Sequence, residues 1–495
     1  MCGRISQPSN PALAVGALEG WNPRRMERRP LMDRNRSNLF DSWESYHKTC
    51  RELSHAMASQ PGSQVRLAKK TSNLFRTRKE AAAKRLDVRR LHRVIEIDPE
   101  HRIAEVEGMT TFEDFADATL LKGLRPPVVP ELKTITVGGA VSGIGIEASS
   151  FRHGLVHEMV EEMEILCGDG TIRICCPDNE NADLFHAIPN SYGSLGYILR
   201  LRVKLLPASP FVKLIHQRFS DRTQFLSKME AACGQSPHAP DFVEGVAFTP
   251  DDFTLTTARL THDRGPVSDY KGMQIYYESL RSRSEDLMTM RDFLWRWDPD
   301  WFWCSRSFGM QNPLLRRLLG RWMLRSNCYW KIQSLYRRWK LEERVHVMRK
   351  ILHLPVERFE PVIQDVEIPI EKSLEFLEFY FREIDIRPCW ICPVRPLDAA
   401  GNWTLYAMEP GALYLNFGFW GSVRTSSDKA AGHFNRRIES IVNGLGGRKS
   451  LYSTSFFTED EFWRIYNGIA YKKLKLKFDP QGAFRSLYQK AVLGH

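Results

Sequence analysis

Between Val65 and Pro207, apolar and polar residues alternate in short runs, the period-two pattern of half-buried strands. Strands are predicted at 93–97, 103–106, 128–129, 162–166, 171–174 and 198–206. Helical stretches intervene at 111–122 and 183–187, and Gly168-Asp169-Gly170 supplies the turn of a hairpin. The mixture is α+β rather than a strict βαβ repeat. Upstream, Leu39, Phe40, Trp43, Tyr46, Leu53 and Met57 recur at helical spacing, which predicts an amphipathic packing helix over 37–57. Residues 1–30 have no periodicity and are rich in Pro, Gly, Asn and Arg, so they read as a loosely attached arm.

A second strand-rich unit begins at 211–219 and continues at 241–260, with the boundary at Pro207 to Pro210, where prolines interrupt the pattern. Further strands are predicted at 384–396, 412–421 and 451–457, then a helical tail over 460–493 with a turn at Asp479-Pro480-Gln481-Gly482. The expected divisions are 1–60 (arm and helix), 61–209, 210–450 and a terminal segment 451–495. No repeat of solenoid period is visible.

Composition changes this picture in three places. The chain has 495 residues, 70 Lys plus Arg against 59 Asp plus Glu, and a formal charge of +11, which favours an anionic partner without choosing among phosphate, nucleic acid and acidic lipid. Ten scattered cysteines suit a reducing compartment, and no apolar run reaches the roughly 20 residues that span a bilayer, so the expectation is a cytoplasmic protein, free or peripheral on a membrane. Within 291–350, seven of the thirteen tryptophans fall between Trp295 and Trp339, and 314–350 holds eleven Lys or Arg against two Glu. No nucleic-acid recognition motif accompanies them. An interfacial element for an anionic leaflet and a core helix pair with a solvated basic face both remain open readings. Cys389-Trp390-Ile391-Cys392 is a lone CxxC with neither a second pair nor a His cluster, so no metal is expected.

The segment with the strongest chemical signal is Thr136-Val137-Gly138-Gly139-Ala140-Val141-Ser142-Gly143-Ile144-Gly145. Glycines at this density let main chain approach a ligand and expose amide N–H groups to a diphosphate. The spacing is not GxGxxG, which argues against a Rossmann nicotinamide domain. About 50 residues on comes Asp183-Leu-Phe-His-Ala-Ile-Pro-Asn-Ser-Tyr-Gly193-Ser-Leu-Gly196, followed by a strand.

These two segments, with the tail from Tyr471 to Arg485, resemble the PCMH-type FAD-binding domain shared by vanillyl-alcohol oxidase and its relatives. Within that superfamily the stretches 129–139, 145–150, 241–245, 390–393, 461–463 and Tyr471-Lys472 resemble the Δ24-sterol reductase (Diminuto/Dwarf1) family and its bacterial lipid-reductase relatives. The resemblance runs from about residue 65 to the end. It implies an FAD domain over 61–209, an α+β substrate (cap) domain over 210–450 and a terminal segment returning to the flavin. It also implies noncovalent FAD, NADPH as electron donor and a hydrophobic alkene as substrate. Two departures from the animal enzymes are expected: no N-terminal membrane span, and an early phosphate loop reading Lys69-Lys-Thr-Ser-Asn-Leu-Phe-Arg76. The second is closer to the bacterial branch, so a sterol side chain and a methylene-branched acyl chain both stand as substrates. An alcohol or 2-hydroxy-acid oxidase, and a lipid-surface protein without turnover, are the competing readings.

On this basis the cofactor-binding residues are Thr71, Ser72, Asn73, Thr136, Val137, Gly138, Gly139, Ser142, Gly143, Gly145, Ile146, Glu147, Ser149, Ser150, Gly154, Gly193 and Gly196. Lys69 and Lys70 add charge toward the diphosphate, and His153 is a poor match to a covalent attachment position. Lys473 and Lys475 are candidates to face the anionic edge of reduced flavin, and Tyr471 to pack against the ring or give a proton. An isolated alkene has no carbonyl to accept charge, so protonation must lead. A proton on the less substituted carbon leaves positive character on a tertiary carbon for hydride. The expected apparatus is an acid, Tyr471 or a buried neutral carboxyl, with Trp390, Phe417 or Trp420 stabilising the cation. Glu147 and Glu244 read equally well as carboxylates capping backbone amides.

Overall fold

The computed structural model describes residues 39–59, 62–69, 75–76, 83–234, 236, 238–329, 331–332, 358–397, 403–426 and 428–494. The arm at 1–30, the loop residues Lys70, Thr71, Ser72 and Asn73, and the basic stretch 333–357 lie outside them. Ser42 caps the first helix, Trp43–Ala58, by accepting from the Ser45 N–H. Its buried residues Tyr46, Cys50, Leu53 and Met57 fall at i, i+4, i+7 and i+11, one stripe packed with Ile95, Leu166 and Leu199.

Five antiparallel strands form the first sheet, in the order Val94–Asp98, Ile103–Glu107, Tyr197–Lys204, Val160–Leu166, Ile172–Cys175. The last two are the hairpin turned by 168–170. Thr111 caps Phe112–Leu120. The expected strand at Val128–Val129 does not form. Pro126, Pro127 and Pro130 offer no N–H to a ladder, and the carbonyls of Pro126 and Pro127 are taken by Arg125 Nη1 (3.2 Å each).

At Pro207 to Pro210 the chain passes to an eight-stranded antiparallel sheet, ordered Glu285–Thr289, Phe211–Phe219, Asp252–Thr261, Phe242–Thr249, Cys389–Val394, Tyr414–Thr425, Arg358–Pro369, Arg448–Lys449. Helices Arg222–Ala232, Ser373–Glu383 and His433–Gly444 cover one face. Val362, Val366, Phe417 and Phe419 point there, into a core with Phe225, Phe376, Tyr380 and Ile438. By strand alternation the neighbouring residues point to the opposite face. The expected strand at 451–457 is irregular, because side chains satisfy its backbone instead of a ladder. Lys449 Nζ binds the Thr454 carbonyl (2.9 Å), and Phe456 N–H donates to Glu439 (3.0 Å). The tail forms three helices, Glu459–Ile465, Gly468–Phe478 and Leu487–Ala491, with Asp479 accepting from Ala483 and Phe484 N–H at the turn.

The glycine-rich segment is itself a short helix, Val137–Gly143, capped by Thr136 Oγ1 on the Gly139 N–H (3.2 Å). It seats directly on the first sheet: Gly138 N–H donates to the Gly108 carbonyl (3.0 Å), and a Cβ at 138 would stand 2.7 Å from that oxygen. Gly138→Ala should therefore lower the denaturant midpoint with m unchanged, by about 1–3 kcal/mol for overpacking. An unchanged midpoint would show that the contact is slack.

Candidate functional site

The two glycine segments, 50 residues apart in sequence, are latched together. Tyr192 N–H donates to the Ser142 carbonyl (2.9 Å), and its hydroxyl donates to the Gly143 carbonyl (2.8 Å). Together they make one wall of a cavity of about 640 Å³, to which Thr136, Gly138, Gly139, Ser142, Gly143, Gly145, Ile146, Gly193 and Gly196 all contribute, with Lys69 and Tyr197. Five expected residues are not on this wall. Val137 faces the core, and Glu147, Ser149, Ser150 and Gly154 lie behind it. There the Ser149 hydroxyl binds the Pro127 carbonyl (2.8 Å) and Ser150 Oγ accepts from Glu147 N–H (3.0 Å).

The opposite wall comes from the eight-stranded sheet and the tryptophan-rich segment. Pro361, Ile363, Asp365 and Glu367, every second residue of one strand, face the cavity, as do Trp420 and Ser422 of the next strand and Trp390 of the strand beyond. Phe417 is out of phase with Trp420 and packs on Phe376 (4.8 Å) in the far core, so of the three expected aromatics only Trp390 and Trp420 reach the site. Trp301, Phe302 and Phe308 close the rim.

Sequence reasoning singled out neither Asp365 nor Glu367. Burial pushes Asp365 up to about 7 and Glu367 up to about 8. Asp365 receives the Asn416 side-chain amide (3.1 Å) and is hydrogen-bonded to Tyr452, whose oxygen in turn accepts from Trp420 Nε1 (2.7 Å). Glu367 is bonded by the Tyr406 hydroxyl. Two acids on a strand at i and i+2 were the available signal, but period two places them on a solvent face as readily as on a cavity.

Next to Trp390 sits a buried charge cluster. Arg296 forks onto Glu244 (Nε to Oε1 and Nη2 to Oε2, both 2.9 Å), which also accepts from Tyr276 (2.9 Å), Trp297 (3.0 Å) and Trp390 (3.1 Å). Burial pushes Glu244 up, but Arg296 and these donors hold it below the ordinary carboxylate range. Glu147, capping Ala148 N–H (2.7 Å), and Glu131, on the cavity, feel the same cation at longer range, but burial first, and then repulsion from neighbouring carboxylates, push both upward. Glu244 thus fixes the indole of Trp390.

The tail reaches the cavity's edge through residues other than those expected. Tyr471 is buried against Trp463 (4.7 Å), its oxygen accepting from Leu487 N–H (3.0 Å), and does not line the cavity. Lys473 is exposed on the outer face of its helix. Lys475 Nζ instead binds the Ser194 carbonyl (2.7 Å), and Lys490 Nζ binds those of Tyr192 (3.2 Å) and Gly193 (2.7 Å). Burial, then repulsion from Lys475, Arg76 and Lys69, pushes Lys490 well down, so a local anion would relieve this end of the cavity. His153 does not line the cavity. Cys304 does, and burial pushes its thiol up to about 12, too high for a thiolate at neutral pH. All nine described cysteines are free, and among the described residues no group of three or more His, Cys, Asp or Glu could hold a metal ion.

A bare main-chain wall, cations at one end and aromatic rings opposite fit FAD in shape and donor chemistry. A family model described as an FAD binding domain matches residues 53–175. The Delta(24)-sterol reductase of Homo sapiens is 28% identical over 425 residues, covering 80% of this chain and 75% of that protein. The Arabidopsis thaliana Delta(24)-sterol reductase is 25% identical over 451 residues, 83% and 76% of the two chains. Cytokinin dehydrogenase 9 of Oryza sativa is 35% identical over 127 residues, 26% and 24%. The fold and these matches define a flavoprotein of the PCMH type. Within that class, the chain is similar to the Δ24-sterol reductases over about four fifths of its length.

Arg296→Met should cost about 3–5 kcal/mol, because Glu244 would be left buried and unpaired. Calorimetry checks it; a loss below about 1 kcal/mol would mean that Glu244 is neutral.

Proposed function

We propose that the chain is an FAD-dependent, NADPH-driven reductase of a carbon–carbon double bond in a hydrophobic lipid, with noncovalent flavin. The observation that carries this is the cavity itself, glycine main chain on one side and Trp390, Trp420, Asp365 and Glu367 on the other. In this reading 61–209 is the flavin domain, 210–450 the substrate domain and 451–495 the returning segment. Thr136, Gly138, Gly139, Ser142, Gly143, Gly145, Ile146, Gly193 and Gly196 bound the flavin, with Lys69 and the 71–73 loop toward its diphosphate. Reduced flavin supplies hydride. The protein excludes water with the Trp301–Phe308 rim, holds the alkene against indole faces that favour positive charge, and delivers a proton. Tyr471 lies too deep in the tail packing to be that donor.

The purified protein should be yellow and release its FAD on denaturation. Anaerobically, NADPH should bleach it, and either a Δ24-sterol or a methylene-branched phospholipid should restore the oxidised spectrum and identify the substrate. In D₂O, deuterium should enter at the less substituted carbon. Deuterium at the tertiary carbon would contradict proton-first addition, and a colourless protein that ignores added FAD would defeat the assignment.

The reading extends to the membrane through the helix Pro313–Met323. It turns Arg316 inward onto Asp300 (2.6 and 2.9 Å), and leaves Leu314, Leu318 and Trp322 72%, 67% and 50% exposed. An apolar outer face within a strongly basic stretch suits an anionic leaflet, the reservoir of a lipid substrate. Among the described residues no helix is long and apolar enough to cross a membrane. Leu314→Glu with Leu318→Glu should weaken binding to phosphatidylglycerol vesicles at least about tenfold in flotation. Equal binding by the variant would remove this face from the account.

A further inference from the structure

Asp365, Gly418 and Trp390 stand in register on three adjacent strands: Asp365 pairs with Gly418, and Gly418 with Trp390. Cross-strand neighbours on one face lie about 5 Å apart, so a side chain at 418 would fill the space between the carboxyl and the indole. The Asp365 carboxyl and the Trp420 ring fill that space instead: a Cβ at 418 would come within 2.5 Å of Asp365 Oδ1 and 2.9 Å of Trp420 Cη2. Glycine at 418 thus lets the carboxyl and the indole come together, and both line the cavity with Trp390.

Of the three acids on the lining, Asp365 alone combines access with a relay. Glu131 and Glu367 are 4% and 1% exposed, the first in the field of Arg296 and the second closed off by Tyr406, whereas Asp365 is partly exposed. Ionisable groups face it from every side: Tyr452 from the segment after the last strand, Glu367 on its own strand, Cys389 across the sheet and Tyr192 from the glycine wall. None of these four carries positive charge to offset the upward push of burial on the Asp365 carboxyl.

We propose that Asp365 is the catalytic acid of this reductase, protonating an alkene held in the cavity beside the Trp390 and Trp420 rings, with Tyr452 positioning it. This rests on the reductase reading above. The Asp365 O–H bond breaks, and the alkene π pair forms the new C–H bond on the less substituted carbon. Positive charge falls on the tertiary carbon beside the indoles. Hydride from reduced flavin, itself reduced by the nicotinamide, completes the saturated product, and solvent reprotonates the carboxylate.

The test uses the whole chain with FAD bound. Asp365→Asn should keep NADPH-driven bleaching within about twofold and slow reoxidation by the alkene by about 10²–10⁴, the range for losing a general acid. Infrared difference spectra, wild type minus variant, should show a carboxylic C=O band that fades between about pH 5 and 9, the bands of Glu367 and other buried acids cancelling. Reoxidation within about threefold of wild type, or absence of that difference band, overturns the proposal. Tyr452→Phe keeps the test alive should Asp365→Asn misfold. It removes a hydrogen bond that favours the carboxylate, so the alkaline limb of reoxidation should move to higher pH; an unmoved limb counts against the assignment. If wild-type reduced flavin is reoxidised by no alkene, the reductase reading fails and takes the proposal with it. Wild-type turnover retained by Asp365→Asn sinks the proposal alone.

Discussion

The contact between Gly138 and the Gly108 carbonyl sets everything around it. Because no side chain intervenes, the helix Val137–Gly143 lies flat on the first sheet and its far side becomes a wall of main chain. Tyr192 then ties the second glycine loop to the end of that helix, and Lys475 and Lys490 tie the tail to that loop. A cavity whose floor is backbone can accept a large flat ligand without moving side chains, and its shape persists when nothing is bound.

The opposite wall works by a different economy. It is made of side chains, and these are held by buried polar contacts that cost solvation: Glu244 holds the Trp390 indole, and Tyr452 holds that of Trp420. Arg296 makes the first arrangement possible by keeping one carboxylate charged, while Glu131 and Glu147 nearby are pushed toward neutrality. Asp365 and Glu367 are not ion-paired in this way: burial moves both upward, and repulsion from Asp365 adds to the push on Glu367. The surroundings of one cavity thus separate acids by environment, one held low where an indole is anchored and others raised where they line the cavity.

Much of this was legible in the sequence. The alternation over 93–206, the helix after Ser42 and the two glycine segments are local signals, and the family resemblance assigned both glycine segments to one flavin domain. What sequence could not supply was phase and depth. Trp420 and Phe417 look alike in a strand, and only the sheet's facing decides which reaches the cavity. Tyr471 carries the right chemistry in the right tail, but it is buried against Trp463 and does not line the cavity. Val128–Val129 and the run after Ser450 have strand-forming residues, yet prolines in one case and Lys449 with Glu439 in the other give the backbone other partners.

The most direct measurement is a crystal structure of the chain grown with FAD. The account predicts the diphosphate along Gly138–Gly145 and the isoalloxazine in the same cavity, facing Trp390 and Trp420. A flavin lodged elsewhere, with this cavity left to solvent, would contradict it.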